Sequence, residues 1–145
     1  MSLAYADGDL KYGVIGAGLQ GEKHIQSVAM APNTSLLAVA DVNLPRARQM
    51  AAQYGSRDVF EDYRELLEVG EIEAVSIALP DHLHREVTVA AFEAGKHVLL
   101  EKPMATSVED AEAMNAAQEK AGKRLMINWS NRWMHAFAQT KDALE

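Results

Sequence analysis

Val14-Ile15-Gly16-Ala17-Gly18-Leu19-Gln20-Gly21-Glu22-Lys23 is the stretch on which the reading of this chain turns. A short apolar segment from Lys11 (Tyr12, Val14, Ile15) runs straight into a glycine cluster. Beyond it, Gly21, Ile25, Val28 and Ala29 fall on one face of a helix that Pro32-Asn33 closes. Strand, G-x-G-x-x-G turn and helix in that order give each glycine a separate reason to be there. Gly16 allows the tight turn, Gly18 lets backbone approach a bound pyrophosphate, and Gly21 lets the helix pack closely on the strand. The helix N-terminus, with free N–H groups and a favourable dipole, then offers an anion site.

The next element supplies the motif's context. Leu36-Leu37-Ala38-Val39-Ala40 is a continuous apolar run, as expected of a strand covered on both faces, and it ends at Asp41. Asp41 stands 20 residues after Gly21, where a carboxylate accepts hydrogen bonds from the adenosine ribose of a dinucleotide. The bland alternatives are a glycine turn that merely connects two elements and an aspartate that merely caps a strand end. A carboxylate beside the 2′ position repels a phosphate there, and Val42 and Asn43 bring no positive charge, so NAD is favoured over NADP. Arg46 is the reservation: from the first turn of the following helix it could swing toward a phosphate, which keeps NADP open.

Further along, strands alternate with helices. Ala47, Met50, Ala51 and Tyr54 repeat helical spacing up to Gly55; Val59-Phe60 is a short strand; Tyr63, Leu66 and Leu67 mark the inner face of a helix. Ala74 to Leu79 reads as a buried strand stopped by Pro80, and Leu83, Val87, Ala90 and Ala94 as a helical stripe up to Gly95. His97 to Leu100 is another strand, and Ser107 with Asp110 makes a capping box before a helix with Val108, Ala111, Met114 and Ala121 inward, closed by Gly122. Leu125-Met126-Ile127 is the last strand, and Phe137 to Glu145 is helical with no stop signal. This order predicts a doubly wound parallel α/β sheet of the Rossmann type, three layers α/β/α. Gly16, Asp41, Pro80, Glu101-Lys102 and the segment from Asn128 to Arg132 all fall at strand carboxyl ends, the edge where such sheets bind ligands.

Composition bounds the partners. The chain has 145 residues, 48% hydrophobic and 24% charged, enough for one folded core. Its net charge is -7, and the acids between Asp58 and Glu73 face only Arg64, so nucleic acid is not expected. With no cysteine there is no disulfide or thiolate metal site, and a reducing cytoplasm is the expected compartment. No apolar run reaches the roughly 18 residues of a membrane span.

Together with the glycine loop, Pro80-Asp81-His82-Leu83-His84, Gly95-Lys96-His97-Val98 and Glu101-Lys102-Pro103 resemble the glucose–fructose oxidoreductase / inositol dehydrogenase (Gfo/Idh/MocA) family from Lys11 onward. G-K-H-V at a strand entry followed by E-K-P at its end is the specific part. The resemblance implies that Leu19 and Gln20 line the pyrophosphate and nicotinamide side, that Leu79 and Pro80 lie against the adenosine half, and that His84 lies near the nicotinamide ribose. It places Glu101 and Lys102 under the nicotinamide, with Lys102 facing substrate as the catalytic residue. Arg132 matches a position near the cofactor more loosely, because Trp133 follows it and the family's proline is missing. The resemblance also implies a second, substrate-binding domain absent from these residues. Residues 1–10 are then an N-terminal extension, 11–130 the dinucleotide-binding domain and 131–145 the start of the connection. The implied activity is hydride transfer between NAD and a hydroxyl carbon of a sugar, cyclitol or related polyol. The alternatives are an NAD-dependent glycoside hydrolase of the same family and a non-catalytic NAD-binding sensor. Oligomers are expected only through the missing domain, and this segment alone is expected to be inactive.

Several residues have plainer readings. His82 and His84 stand two apart at a helix start and do not face each other, so a surface or capping pair fits better than a metal site. His97 opens a buried strand as a core histidine, and His24, one turn past the glycine loop, fits helix packing better than a role supporting the site from behind. Trp129 and Trp133 are open between nicotinamide contact and a core or domain interface. For Lys102 the competing reading is an ion pair with Glu101 or a neighbouring acid at the surface.

Overall fold

The computed structural model describes residues 9–144. Its sheet has six parallel strands, β1 (Leu10–Ile15), β2 (Thr34–Ala40), β3 (Asp58–Phe60), β4 (Ala74–Ile77), β5 (His97–Glu101) and β6 (Leu125–Asn128), in the order β3-β2-β1-β4-β5-β6. The helices are α1 (Leu19–Met30), α2 (Leu44–Tyr54), α3 (Tyr63–Glu68), α4 (His84–Glu93), α5 (Val108–Ala121) and α6 (His135–Leu144). Strand order reverses between β1 and β4, which opens a crevice at their carboxyl ends. Right-handed crossovers put α1 and α2 on one face of the sheet and α3, α4 and α5 on the other; α1 packs on α2, and α4 on both α3 and α5. The N-terminal extension falls, up to Gly8, outside the described residues, and β1 begins at Leu10 within it.

The two faces are visible as two cores. Val14, Val39, Ile25 and Met50 meet on one side, whereas Ile15, Ala38, Ala40, Ile77 and Phe92 meet on the other. Neighbours such as Val14 and Ile15 point to opposite faces because side chains alternate along a strand. The unbroken apolar run of β2 therefore reflects burial on both sides.

Ends follow local chemistry. Asn43 caps α2 by accepting from the Arg46 N–H at 3.2 Å, and α2 stops at Gly55 with φ 76°. Ser107 caps α5 by accepting from the Asp110 N–H at 3.1 Å, but the capping box is not reciprocal: the Asp110 carboxylate lies 3.2 Å from Arg85 instead. β4 ends at Ile77 rather than Leu79, because after Ala78 N–H bonds to Ile15 the chain turns away and the Leu79 carbonyl is taken by a side chain. The inner face of α4 is His84, Val87, Thr88, Ala91 and Phe92; Ala94 is exposed, and a 3₁₀ turn at Asp81–Leu83 sets the rotation that sequence spacing could not reveal. Ala29 and Val108, expected inward, are exposed.

The helix-to-strand approach at the glycine loop leaves no spare space. A Cβ on Gly21 would overlap the Gly16 carbonyl oxygen, while one on Gly16, whose φ is +98°, would overlap the Ala78 carbonyl oxygen. Gly18 has nothing within 4 Å. Gly21→Ala should therefore lower stability by about 2–3 kcal/mol, as overpacking against backbone does. Gly18→Ala should stay within about 0.5 kcal/mol of the parent. Urea denaturation of both variants measures this, and equal losses would contradict the packing account.

Candidate cofactor-binding site

The carboxyl ends of β1, β2, β4, β5 and β6 bring together most of the residues singled out from the sequence. Gly18 is the N-cap of α1 and no side chain caps the helix there, so its first N–H groups remain available to an anion. With open space at Gly18, backbone can come close to a pyrophosphate. Leu19 projects into solvent, 77% exposed, at the start of α1, and Gln20 lines the cleft beside it.

Asp41 does two jobs. Its Oδ2 accepts from the Ala17 N–H at 2.6 Å and its Oδ1 from the Asn43 N–H at 2.8 Å, so the carboxylate fixes the glycine loop and caps its own strand end. A carboxylate has about four acceptor sites, and two of them remain for ribose hydroxyls. The capping and ribose readings are thus compatible at one residue. The residues present suit a dinucleotide: an uncapped helix terminus for the pyrophosphate, open backbone at Gly18 and a carboxylate at the ribose end.

At the other end lies a cleft of roughly 370 Å³ lined by Gln20, Lys23, His24, Glu101, Lys102 and Asn128, among others. Glu101 ends β5 and is held on every side. His24 Nε2 lies 2.8 Å from its Oε1, Asn128 Nδ2 donates to Oε1 at 2.7 Å, and the Lys102 N–H donates to Oε2 at 3.1 Å. Since an ionised carboxylate only accepts, His24 carries a proton on Nε2, and its Nδ1 lies 2.9 Å from the buried Ser76 hydroxyl. Burial pushes the Glu101 carboxyl up, but the hydrogen bonds from His24 and Asn128 and the neighbouring His24 outweigh it, so the group sits below the ordinary carboxylate range. His24, assigned from its spacing to helix packing, therefore packs and also joins α1 to β4, β5 and β6. Its place one turn beyond the loop and the acid at the end of β5 are the sequence signals that pair them.

Lys102 is exposed at the cleft, and its bond to Pro103 is cis. Among the described residues no ion pair forms on its ammonium, and the Glu101 oxygens are engaged elsewhere. The ion-pair reading of Lys102 with Glu101 accordingly finds no support.

Other residues lie outside the cleft. His84 is fully buried, with Nδ1 2.8 Å from the Pro103 carbonyl and Nε2 3.0 Å from that of Leu79. Having no surface to offer a nicotinamide ribose, it instead ties the turns after β4 and β5 together, and so positions Leu79 and Pro80. Arg132 lies exposed in a 3₁₀ turn at Ser130–Trp133, and the structure does not bring it into the cleft. Trp129 and Trp133, 53% and 68% exposed, also stand on the surface. In the G-K-H-V stretch, buried Lys96 donates to the Val69 and Ile72 carbonyls at 2.9 and 2.8 Å, and His97 accepts from the Arg124 N–H at 3.0 Å. Both are braces at the opposite edge of the sheet. Among the described residues no cluster of three or more His, Asp or Glu could hold a metal ion, and no helix is long and apolar enough to cross a membrane.

The sequence model of an oxidoreductase family with an NAD-binding Rossmann fold (Gfo/Idh/MocA) matches residues 10–129. The chain belongs to this family. It is 31% identical over 136 residues to the myo-inositol 2-dehydrogenase of Thermotoga maritima, a match covering 94% of this chain and 41% of that enzyme. A solved structure of scyllo-inositol dehydrogenase from Lactobacillus casei with bound NAD(H) and scyllo-inositol superposes with a TM-score of 0.88 at 25% identity, over 94% of this chain and 41% of that one. A 3-ketoreductase from Actinomadura kijaniata, solved with TDP-benzene and NADP, does so with a TM-score of 0.88 at 32% identity, over 94% and 44%. The chain therefore spans less than half the length of these relatives, and it is an NAD-binding oxidoreductase domain.

The Glu101 network has a pH signature. A carboxyl with a folded-state pKa below its unfolded value stabilises the fold above the unfolded value, and that contribution disappears as pH falls through the folded one. Urea-denaturation stability of the parent chain should fall more steeply than that of Glu101→Gln as pH drops below about 4.5, the ordinary glutamate value. Parallel curves would show that the network does not favour the ionised carboxylate.

Proposed function

We propose that this chain is the cofactor half of an NAD-linked dehydrogenase that moves hydride between the nicotinamide and a hydroxyl-bearing carbon of a sugar, cyclitol or related polyol. The observation that carries the reading is Lys102: a side chain with no ion pair among the described residues, at a strand end in the cleft, next to an acid held by three donors. The matched relatives named as inositol dehydrogenases support the substrate class. Bound NAD supplies the hydride acceptor. The glycine loop and the α1 terminus hold the pyrophosphate, Asp41 orients the adenosine ribose, and the Glu101 network fixes the backbone from which Lys102 extends. Lys102 as a neutral amine hydrogen-bonds the substrate hydroxyl and accepts its proton as hydride leaves for NAD; the ammonium so formed stabilises negative charge on oxygen and returns the proton in the reverse direction. Substrate contacts come from a second domain, through which copies of the protein also associate. A cysteine-free chain suits a reducing compartment, and we place the enzyme in the cytoplasm.

Two measurements test this. The 145-residue chain should bind NADH in a calorimetric titration yet hold reduced-nicotinamide absorbance at background across a polyol panel; robust turnover would refute the division of labour. In the full-length enzyme, Lys102→Ala should lower kcat by about a hundredfold with NAD affinity little changed. Near-normal turnover, or outright loss of NAD binding, would remove Lys102 from the acid–base role.

A further inference from the structure

Glu22 directly follows the third glycine and occupies the first turn of α1, the end of the helix that receives a cofactor's phosphates. An acid there competes with an anionic ligand unless something offsets it. Arg46 does so: its Nη2 donates to Glu22 Oε2 at 2.6 Å, with both side chains about one-third exposed (30% and 33%). The same guanidinium donates from Nε to the Ala17 carbonyl at 3.1 Å and from Nη1 to Gln49 Oε1 at 3.0 Å. Ala17 is the residue whose N–H is held by Asp41. One loop residue is thus gripped through both of its backbone polar groups, by the acid at the end of β2 and by the arginine of α2. The guanidinium and the Asp41 carboxylate accordingly engage the same loop residue.

An arginine in that neighbourhood serves as a ligand for a 2′-phosphate when its donors are free. Here three of its five N–H donors are engaged, by the Ala17 carbonyl, Glu22 of α1 and Gln49 of α2. We propose that Glu22 is a specificity-determining residue: by holding Arg46 against α1 it withholds the cation a 2′-phosphate needs, and it keeps this corner negative, two acids against one base. Rejection of NADP then has two parts, repulsion by Asp41 and sequestration of Arg46 by Glu22. The inference rests on the reading of the cleft as an NAD site.

Calorimetric titration of NADH and NADPH into the chain and its variants tests it. The parent should prefer NADH by about tenfold or more. Glu22→Gln should tighten NADPH by about fivefold while NADH affinity stays within about twofold, the scale of one partly exposed charge interaction. The gain should vanish in Glu22→Gln/Arg46→Ala and grow on an Asp41→Ser background. Glu22→Ala, which removes the acceptor altogether, gives the same readout if the amide weakens the fold. Unchanged NADPH affinity in both Glu22 variants, or a gain that survives loss of Arg46, would overturn the proposal and leave discrimination to Asp41. A parent chain that fails to bind NADH would instead overturn the NAD reading itself, and this inference with it.

Discussion

The structure depends on a contact that contains no side chain. Where α1 leaves the end of β1, Gly21 lies against the carbonyl of Gly16, and Gly16 lies against that of Ala78 at the end of β4. Both approaches exclude even a methyl group. They bring the helix N-terminus down to the edge of the sheet at the point where strand order reverses, and so set the crevice that Gln20, His24, Glu101 and Lys102 border. A helix held farther out would still cover Val14, Val39 and Ile25, but its free N–H groups would no longer meet a ligand lying on the strand ends.

Two polar systems lock that geometry from either side. Asp41 and Arg46 hold Ala17 by its N–H and its carbonyl, one from β2 and the other from α2. On the opposite flank, His24 links α1 to Ser76 and Glu101, and Asn128 closes the set from β6. Hydrogen bonds to an ionised, largely buried acid contribute more than neutral surface ones, and losing one partner leaves a poorly solvated group behind. Such systems favour a single arrangement of the strand ends, as the role proposed for Lys102 requires. The exposed pairs among the acids between Asp58 and Glu73, such as Arg57 with Asp58 and Arg64 with Asp62, contribute little by comparison.

Much of this was legible in the residues because local rules and global fold agree. Continuous apolar runs marked strands buried on both faces, glycines at 55 and 122 marked helix ends, and Asp41 marked the end of β2 beside the glycine loop. Elements went astray where a long-range partner overrides local pattern. The rotation of α4 depends on a 3₁₀ turn, and the early end of β4 on a carbonyl claimed by His84. His84 read as a ligand-facing residue because the motif places it beside the cleft, while only tertiary packing reveals it beneath the surface. For His24, packing read as the better choice over a role supporting the site because its acid partner is far away in sequence, at Glu101. The Glu22–Arg46 pair was equally hidden: spacing raised Arg46 as a phosphate ligand, but which way its guanidinium turns is a question of helix-to-helix contact.

Amide chemical-shift mapping of the isotope-labelled chain during an NADH titration tests the central claim most directly. The account predicts perturbations concentrated at Gly16–Gly21, Asp41–Asn43, Leu79 and Glu101–Lys102, along one edge of the sheet, with Lys96, His97 and Arg124 at the opposite edge unmoved. Perturbations centred on that opposite edge, or scattered over the helix surfaces while the glycine loop stays silent, would contradict it.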